Sequence, residues 1–386
     1  MDFELSEEQK MFKQSISDFL EREVPRGYTR ECEEKDEYPY AIWEKLAKAG
    51  YCGILVPEEY GGSGGNVTDV CLFFEELSRK CLPASGLYLM GIIFPATVLN
   101  AIGNEEQKRE YLPKIASGEV RFCLSITEPS GGTDILTLST YADEDADGFI
   151  INGEKVFTSI ADDAHNIFLL ARTKKLTEVS KRSEGISLFI VPRDSTGITM
   201  RKLEMIGYRY AHTYQVFYND VRIPKKNLLG EKDQGWYYAT NILNIERICI
   251  PIMELGQQQA AFDYVLDYAK QRCAFGKPIA QFQVIQHYLA NMHIAIETNR
   301  LWAYKLAWMA DQGKMYAIEA MMAKVISANA SSYIGRKGMA IMAGHGAAKD
   351  NEMEQYYRNF SLSPGLTLEM CRNYIGQYDL GLPRSY

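Results

Sequence analysis

The sequence predicts a mainly α protein with a β domain inserted in its middle, and three observations carry that prediction. Apolar residues recur at helical spacing over roughly the first 120 residues. From 121 the pattern changes to short apolar or alternating runs bounded by Gly, Asp and Pro. From about 235 long helical periodicities return. The implied units are an α-helical domain at 1–120, a β domain at 121–232 and a helical domain at 233–386.

In the first unit Met11, Phe12, Ile16, Phe19 and Leu20 lie three or four apart on one helical face, and 41–49, 67–78 and 105–115 repeat the pattern. Val56-Pro57-Glu58-Glu59-Tyr60-Gly61-Gly62-Ser63-Gly64-Gly65 is a turn-rich break. In the second unit strands are expected at 122–126, 149–151, 166–171, 186–191 and 215–217. Asp147-Gly148 and Asn152-Gly153 are two-residue turn signals for antiparallel hairpins. The polar, Lys-rich stretch 173–184 is expected to be an exposed loop joining two strands. Helices follow at 235–272, 279–311, 315–343 and 350–360.

The chain has 386 residues, enough for two or three domains, and its 42 basic and 50 acidic side chains give a net charge of -8. That balance argues against nucleic-acid binding, which needs clustered cations, but not against a small anionic ligand. The start is acidic and polar, unlike a signal peptide. The most apolar stretch, 87–99, is interrupted by Gly91 and Pro95 and falls short of the ~18 residues of a spanning helix. A soluble, cytoplasmic protein with no membrane segment is expected. The eight cysteines form no CxxC pair and the five histidines no HExxH pattern, so no metal is expected and the thiols read as small buried apolar groups.

Four segments could carry chemistry. Ser125-Ile126-Thr127-Glu128-Pro129-Ser130-Gly131-Gly132-Thr133-Asp134 runs from a strand into a Gly-containing turn whose N–H and hydroxyl groups suit a phosphate or a flavin edge; a polar β-turn reads equally. Lys155-Val156-Phe157-Thr158-Ser159 places an aromatic ring near hydroxyls, suited to a planar cofactor or simply an ordinary strand. Arg272-Cys273-Ala274-Phe275-Gly276 ends a helix with a guanidinium and a ring, fit for a pyrophosphate or for an ordinary helix terminus. The most informative is Glu246, whose helical neighbours Ile242, Leu243, Cys249, Ile250 and Met253 are all apolar. A carboxylate there must be paired with some Arg or have its pKa raised, as a general base does. Glu254, beside Gln257 and Gln258, is expected to face water.

In this order the segments resemble the acyl-CoA dehydrogenase family of flavoproteins over nearly the whole chain. Pro57 to Gly62 matches PExYGG, Glu106-Gln107-Lys108 to Gly118-Glu119 matches EQKxxYLP…GE, and Ser125 to Asp134 is similar to the TEPxAGSD loop. Gly207 to Gly230 is similar to GxRxxxT…DVxVPxxNLLG, and Arg272 to Gly276 matches RxxFG. The resemblance implies an N-terminal helical domain, a β-barrel-like domain and a C-terminal four-helix bundle, in a homotetramer or homodimer. It also implies FAD-dependent oxidation of an acyl-CoA to the enoyl-CoA: a carboxylate takes the α-proton, flavin N5 takes the β-hydride, and an electron-transfer flavoprotein receives the electrons.

By position, Ile126, Thr127, Gly132, Thr133, Phe157 and Ser159 would contact FAD, and Arg272, Phe275 and Gln283 would hold the FAD of a neighbouring subunit. Gly344, Gly346, Thr367 and Glu369 match further cofactor contacts, while Thr133, Asn244 and Arg247 would face substrate. The chain departs from the common pattern at Ala340, Ala343 and Asn359, and above all at Gly365, where most members carry the catalytic Glu. A minority, including the isovaleryl-CoA and long-chain enzymes, place that Glu in an xxER on the first long C-terminal helix, which Asn244-Ile245-Glu246-Arg247 matches. The resemblance thus makes Glu246 the base. Crotonobetainyl-CoA reductase shares the ER and the Gly, so an enoyl-CoA reductase stays open, as do a catalytically silent flavin-binding subunit and a flavin oxidase or monooxygenase.

Overall fold

The computed structural model of the protein describes residues 4–362 and 368–384, with the side chains of Asn241 and Ile242 outside the description. Seven α-helices open the chain: α1 Glu7–Glu23, α2 Tyr28–Lys35, α3 Tyr40–Lys48, α4 Val67–Lys80, α5 Leu82–Tyr88, α6 Phe94–Ile102 and α7 Glu105–Ala116. Three of them start where the sequence can satisfy their first N–H groups. Ser6 with Gln9, Asn66 with Asp69 and Asn104 with Gln107 form reciprocal capping boxes. Gln107 does more, since its Nε2 donates to the carbonyls of Lys226 (3.0 Å) and Leu228 (2.9 Å) and so ties α7 to the β domain.

The apolar stretch around Gly91 and Pro95 corrects the sequence reading. Pro95 sits in the first turn of α6, where its missing N–H costs nothing, and Leu89–Ile93 passes as a π-helical turn. The helical run Leu82–Ile102 is therefore continuous over 21 residues, long and apolar enough to cross a membrane, yet 83% of its apolar window is buried inside the protein. It is packed as a core helix.

Eight strands follow: β1 Phe122–Ser125, β2 Tyr141–Glu144, β3 Gly148–Ser159, β4 Asn166–Arg172, β5 Ile186–Pro192, β6 Ile198–Leu203, β7 Thr213–Pro224 and β8 Leu228–Leu229. They form one sheet in the order β6-β7-β3-β2-β4-β5-β8, with β1 parallel to β4. Asp147-Gly148 closes the β2–β3 hairpin as expected, and 173–184 joins antiparallel β4 and β5. Asn152-Gly153 does not make a turn. It lies within β3 at a register shift against β7, with Gly153 at φ +146°, where a Cβ would stand 2.6 Å from Thr140 Oγ1. Its glycine serves a bulge rather than a hairpin.

The chain then returns to helices: α8 Gly235–Gln271, α9 Gln283–Asp311, α10 Ala317–Met342, α11 Gly344–Ala347, α12 Glu352–Phe360 and α13 Leu368–Tyr378; a small hairpin of β9 Cys273–Ala274 and β10 Lys277–Pro278 precedes α9. Gly256 lets α8 lie against α4, since a Cβ there would stand 2.4 Å from the Glu75 carbonyl oxygen. Asp311 at the end of α9 accepts from the N–H groups of Val67 (2.7 Å) and Thr68 (3.0 Å), joining both helical regions. All eight cysteines are free thiols, seven of them buried and Cys273 exposed.

Candidate active site

The loop after β1 is held by a buried ion pair that the sequence reading did not identify. Lys155 on β3 has no exposure, and its Nζ lies 2.9 Å from Glu128 Oε1 and donates to the Ile126 carbonyl at 2.9 Å. Glu128 also accepts from Ser139 N (2.7 Å), Ser139 Oγ (2.8 Å) and Thr140 N (2.9 Å). Burial opposes ionisation of Glu128, but the Lys155 charge and these donors outweigh it and hold its carboxyl down at about 2. Val156 N donates to the Thr127 carbonyl at 2.8 Å, and Ser125 Oγ meets Thr158 Oγ1 at 3.1 Å. The structure therefore brings the first two predicted segments side by side.

Phe157 interrupts the register between Lys155 and Thr158 with φ +58°, which turns its ring outward, 58% exposed. Ser159 follows in pairing with Thr213. Gly132 and Thr133 are exposed, with open space where a Cβ of residue 132 would stand. An outward ring, an unfilled glycine and a hydroxyl on one locked platform fit the edge and face of a flavin.

The third segment lies elsewhere. Arg272 follows α8 at a position 26 residues beyond Glu246, and at about 1.5 Å per residue roughly 39 Å separates them along the helix axis. Arg272 and Gln283 are exposed, and Phe275 is 96% exposed at φ +51° on the tip of the β9–β10 hairpin. Its ring has one described aromatic neighbour, Phe282, at 6.2 Å. Gly344 is exposed at the start of α11, after Ala343 at φ +50°, a backbone region that favours glycine. Glu369 is exposed on α13, 3.7 Å from Arg372. Thr367 and Gly365 lie outside the described residues.

Glu246 lines a small cleft with Leu243, Arg247, Ile250, Met321, Lys324 and Cys371. Ile250 and Cys371 are buried, as are Cys249 and Met253 on the same helix. Burial raises the Glu246 carboxyl above the usual range, against the nearby charges of Lys324 and Arg247. The neighbouring guanidinium does not take Glu246 as a structural partner: Arg247 Nη1 donates to Asn244 Oδ1 at 2.8 Å. Its Nε is buried without a partner among the described residues. Glu246 and Arg247 thus line the cleft from one turn of α8, and Asn244 is tied to it through Arg247.

Glu254 corrects the sequence reading. It does not face water but is 1% exposed, and Ser327 Oγ on α10 donates to its carboxylate. Gln257 and Gln258 beside it are buried too, because α4 and α10 cover the side of α8 that polarity alone assigned to solvent. Lys324, 4% exposed, was missed as well; it sits on α10, and no local pattern in its own segment marks it as the cation facing Glu246. Arg358 pairs with Glu33 at 2.7 Å, and Asn359 Oδ1 accepts from Tyr208 N at 2.8 Å, so residue 359 anchors the loop before β7.

Comparison with known proteins agrees with this geometry. Residues 6–119, 123–221 and 233–364 match the N-terminal, middle and C-terminal domains of acyl-CoA dehydrogenase. A probable acyl-CoA dehydrogenase, YngJ of Bacillus subtilis, is 33% identical over 94% of each chain. The caffeyl-CoA reductase-Etf complex subunit CarC of Acetobacterium woodii is 34% identical over 92% of this chain and 93% of that one. The structure of butyryl-CoA dehydrogenase from Megasphaera elsdenii superposes with a TM-score of 0.92 at 29% identity, covering 98% of this chain and all of that one. The chain belongs to the acyl-CoA dehydrogenase family, FAD-dependent oxidoreductases acting on acyl-CoA.

Proposed function

We propose that the protein catalyses α,β-dehydrogenation of an acyl-CoA with Glu246 as the base for the α-proton. The observation that carries this reading is a carboxyl raised by burial in a cleft walled by Leu243, Ile250 and Met321. Such a group accepts a proton from carbon more readily than an ordinary carboxylate, since its pKa lies nearer the operating pH. Asn244 orients Arg247 through their 2.8 Å hydrogen bond, and the pair borders the reacting carbons. Ile126, Thr127, Gly132, Thr133, Phe157 and Ser159 would hold FAD, which would supply the acceptor for the hydride leaving the β-carbon. The same raised carboxyl suits a proton donor, so enoyl-CoA reduction is the second reading, and the relative named as a reductase subunit supports it.

Anaerobic titration with short, branched, long and aromatic acyl-CoAs, followed by flavin absorbance, tests the reading. Bleaching by one class is expected. Bleaching by none, with FAD-loaded protein, would reject dehydrogenation and favour the reductase or a silent subunit; rapid reoxidation by oxygen would indicate an oxidase.

Two partners belong to this reading. Ile294, Leu301 and Trp308 are 61%, 59% and 49% exposed at seven-residue intervals along α9, an apolar stripe suited to a second copy of the chain. The roughly 39 Å between Glu246 and Arg272 also suits Arg272, Phe275 and Gln283 to a neighbour's FAD rather than to their own. Ile294→Glu with Leu301→Glu is expected to yield monomers in sedimentation velocity and to lower FAD content; unchanged mass would reject the stripe as an interface. An electron-transfer flavoprotein is the proposed redox partner, supported by the relative named as part of a reductase-Etf complex.

A further inference from the structure

Five residues after Glu246 the long helix α8 runs through a proline, Pro251. With no N–H it leaves the Arg247 carbonyl, four residues back, without its α-helical donor, and its ring presses on that carbonyl. An interior proline therefore bends a helix on the turn before it, here the turn that carries Glu246 and Arg247. The stretch between them has no slack: Ile248, Cys249 and Ile252 are wholly buried, and Ile250 lines the cleft beside Glu246.

Neighbouring helices take hold of the bend. Asn299 on α9, wholly buried, donates from Nδ2 to the Pro251 carbonyl at 3.2 Å and to Gln258 Oε1 at 3.0 Å. Gln258, wholly buried as well, donates from Nε2 to the Ser327 carbonyl at 3.1 Å and to Ser331 Oγ at 2.9 Å, both on α10. Hydrogen bonds from two helices thus fix α8 over the turns that follow Glu246. Neither Pro251 nor Asn299 favours stability by itself. Proline is the least favourable residue in a helix interior, and Asn299 keeps its Oδ1 buried without a partner among the described residues. Locally costly residues beside a reacting group are expected where geometry, rather than stability, is being set.

We propose that Pro251 and Asn299 are positioning residues for proton transfer at Glu246: the proline bends α8 and Asn299 holds the bend, so that the carboxyl points at the α-carbon. The inference rests on the reading of Glu246 as the base. An unbent α8 would carry Glu246, Arg247 and Ile250 together and displace the carboxyl from the reacting carbon. The segments proposed to hold FAD lie on β3 and after β1, outside α8, and would stay where they are. The expected damage therefore falls on the chemical step rather than on cofactor binding.

The test is Pro251→Ala in the full-length, FAD-loaded enzyme, which gives the Arg247 carbonyl its missing N–H. Flavin reduction by the acyl-CoA that bleaches it best is followed anaerobically across substrate concentration. Where only the reverse reaction runs, reoxidation of reduced flavin by the enoyl-CoA serves instead. The limiting rate is expected to fall about tenfold to a hundredfold, the scale for displacing a reacting group by up to ~1 Å. FAD content and Tm are expected to hold, and the half-saturating concentration to change far less than the rate. Deuterium in place of the transferred proton, on the α-carbon or, in reverse, in the solvent, is expected to slow the variant more than wild type, because proton transfer has become the slower step. Asn299→Leu is expected to give the same split, and if either variant fails to fold the other decides. A folded, FAD-loaded variant with the wild-type limiting rate and isotope effect would overturn the proposal, and so would losses of rate, FAD and affinity in equal proportion. Retained flavin reduction by Glu246→Gln would instead overturn the base assignment on which it rests, so the two failures are separable.

Discussion

Glu246→Gln is expected to slow flavin reduction by acyl-CoA by about two orders of magnitude or more, the lower end for loss of a general base. The amide keeps the volume and much of the polarity of the carboxylate. The cleft of Leu243, Ile250, Met321 and Lys324 should therefore stay packed, and FAD content and ligand-induced spectral shifts should persist. What disappears is the group that takes the α-proton. In wild type the oxidative rate should rise with pH as Glu246 ionises, because burial raises its carboxyl and only the ionised form can accept a proton. Enoyl-CoA reduction through the same residue should fall over the same interval, because there the protonated form donates. Stopped-flow reduction across pH checks both signs. Near-normal reduction by Glu246→Gln would remove the residue from the chemistry.

Lys155→Met is expected to cost about 3–5 kcal/mol of stability, the range for breaking a buried ion pair from one side. Glu128 would be left inside with its donors from Ser139 and Thr140 but without the ammonium, while the Ile126 carbonyl would lose its Lys155 hydrogen bond. The segment bearing Ile126, Thr127, Gly132 and Thr133 should loosen, so FAD loss should accompany the drop in Tm. Glu128→Gln together with Lys155→Met should recover much of the stability, since neither charge is then stranded. The pair also predicts acid sensitivity. The folded carboxyl, at about 2, lies below its unfolded value, so its stabilisation is present above the unfolded pKa of ~4.3 and is lost as pH falls toward 2. A Tm unchanged in Lys155→Met would show that the pair does not hold the loop.

The apolar setting of Glu246 was legible because its evidence is local: residues three and four away on one helix share its face, and they are apolar. The same reasoning failed for Glu254, whose polar neighbours suggested solvent. Its burial comes from α10, whose Ser327 lies 73 positions on, and from α4 closing over Gly256. Asn152-Gly153 misled for a related reason. A dipeptide that permits positive φ marks where a bulge or a turn can form, and the pairing of β3 with β7 selects between them. Pro95 likewise need not break a helix, and here the π-helical turn Leu89–Ile93 just before it keeps the run Leu82–Ile102 continuous.

Helical and strand periodicity and ordered motifs were sufficient for the three-part architecture and the family, because each is read within a short window along the chain. The partners of buried charges were not. Lys155 beside Glu128 and Lys324 in the cleft of Glu246 depend on which segments fold onto one another, and desolvation, which makes those charges matter, exists only once the core has closed.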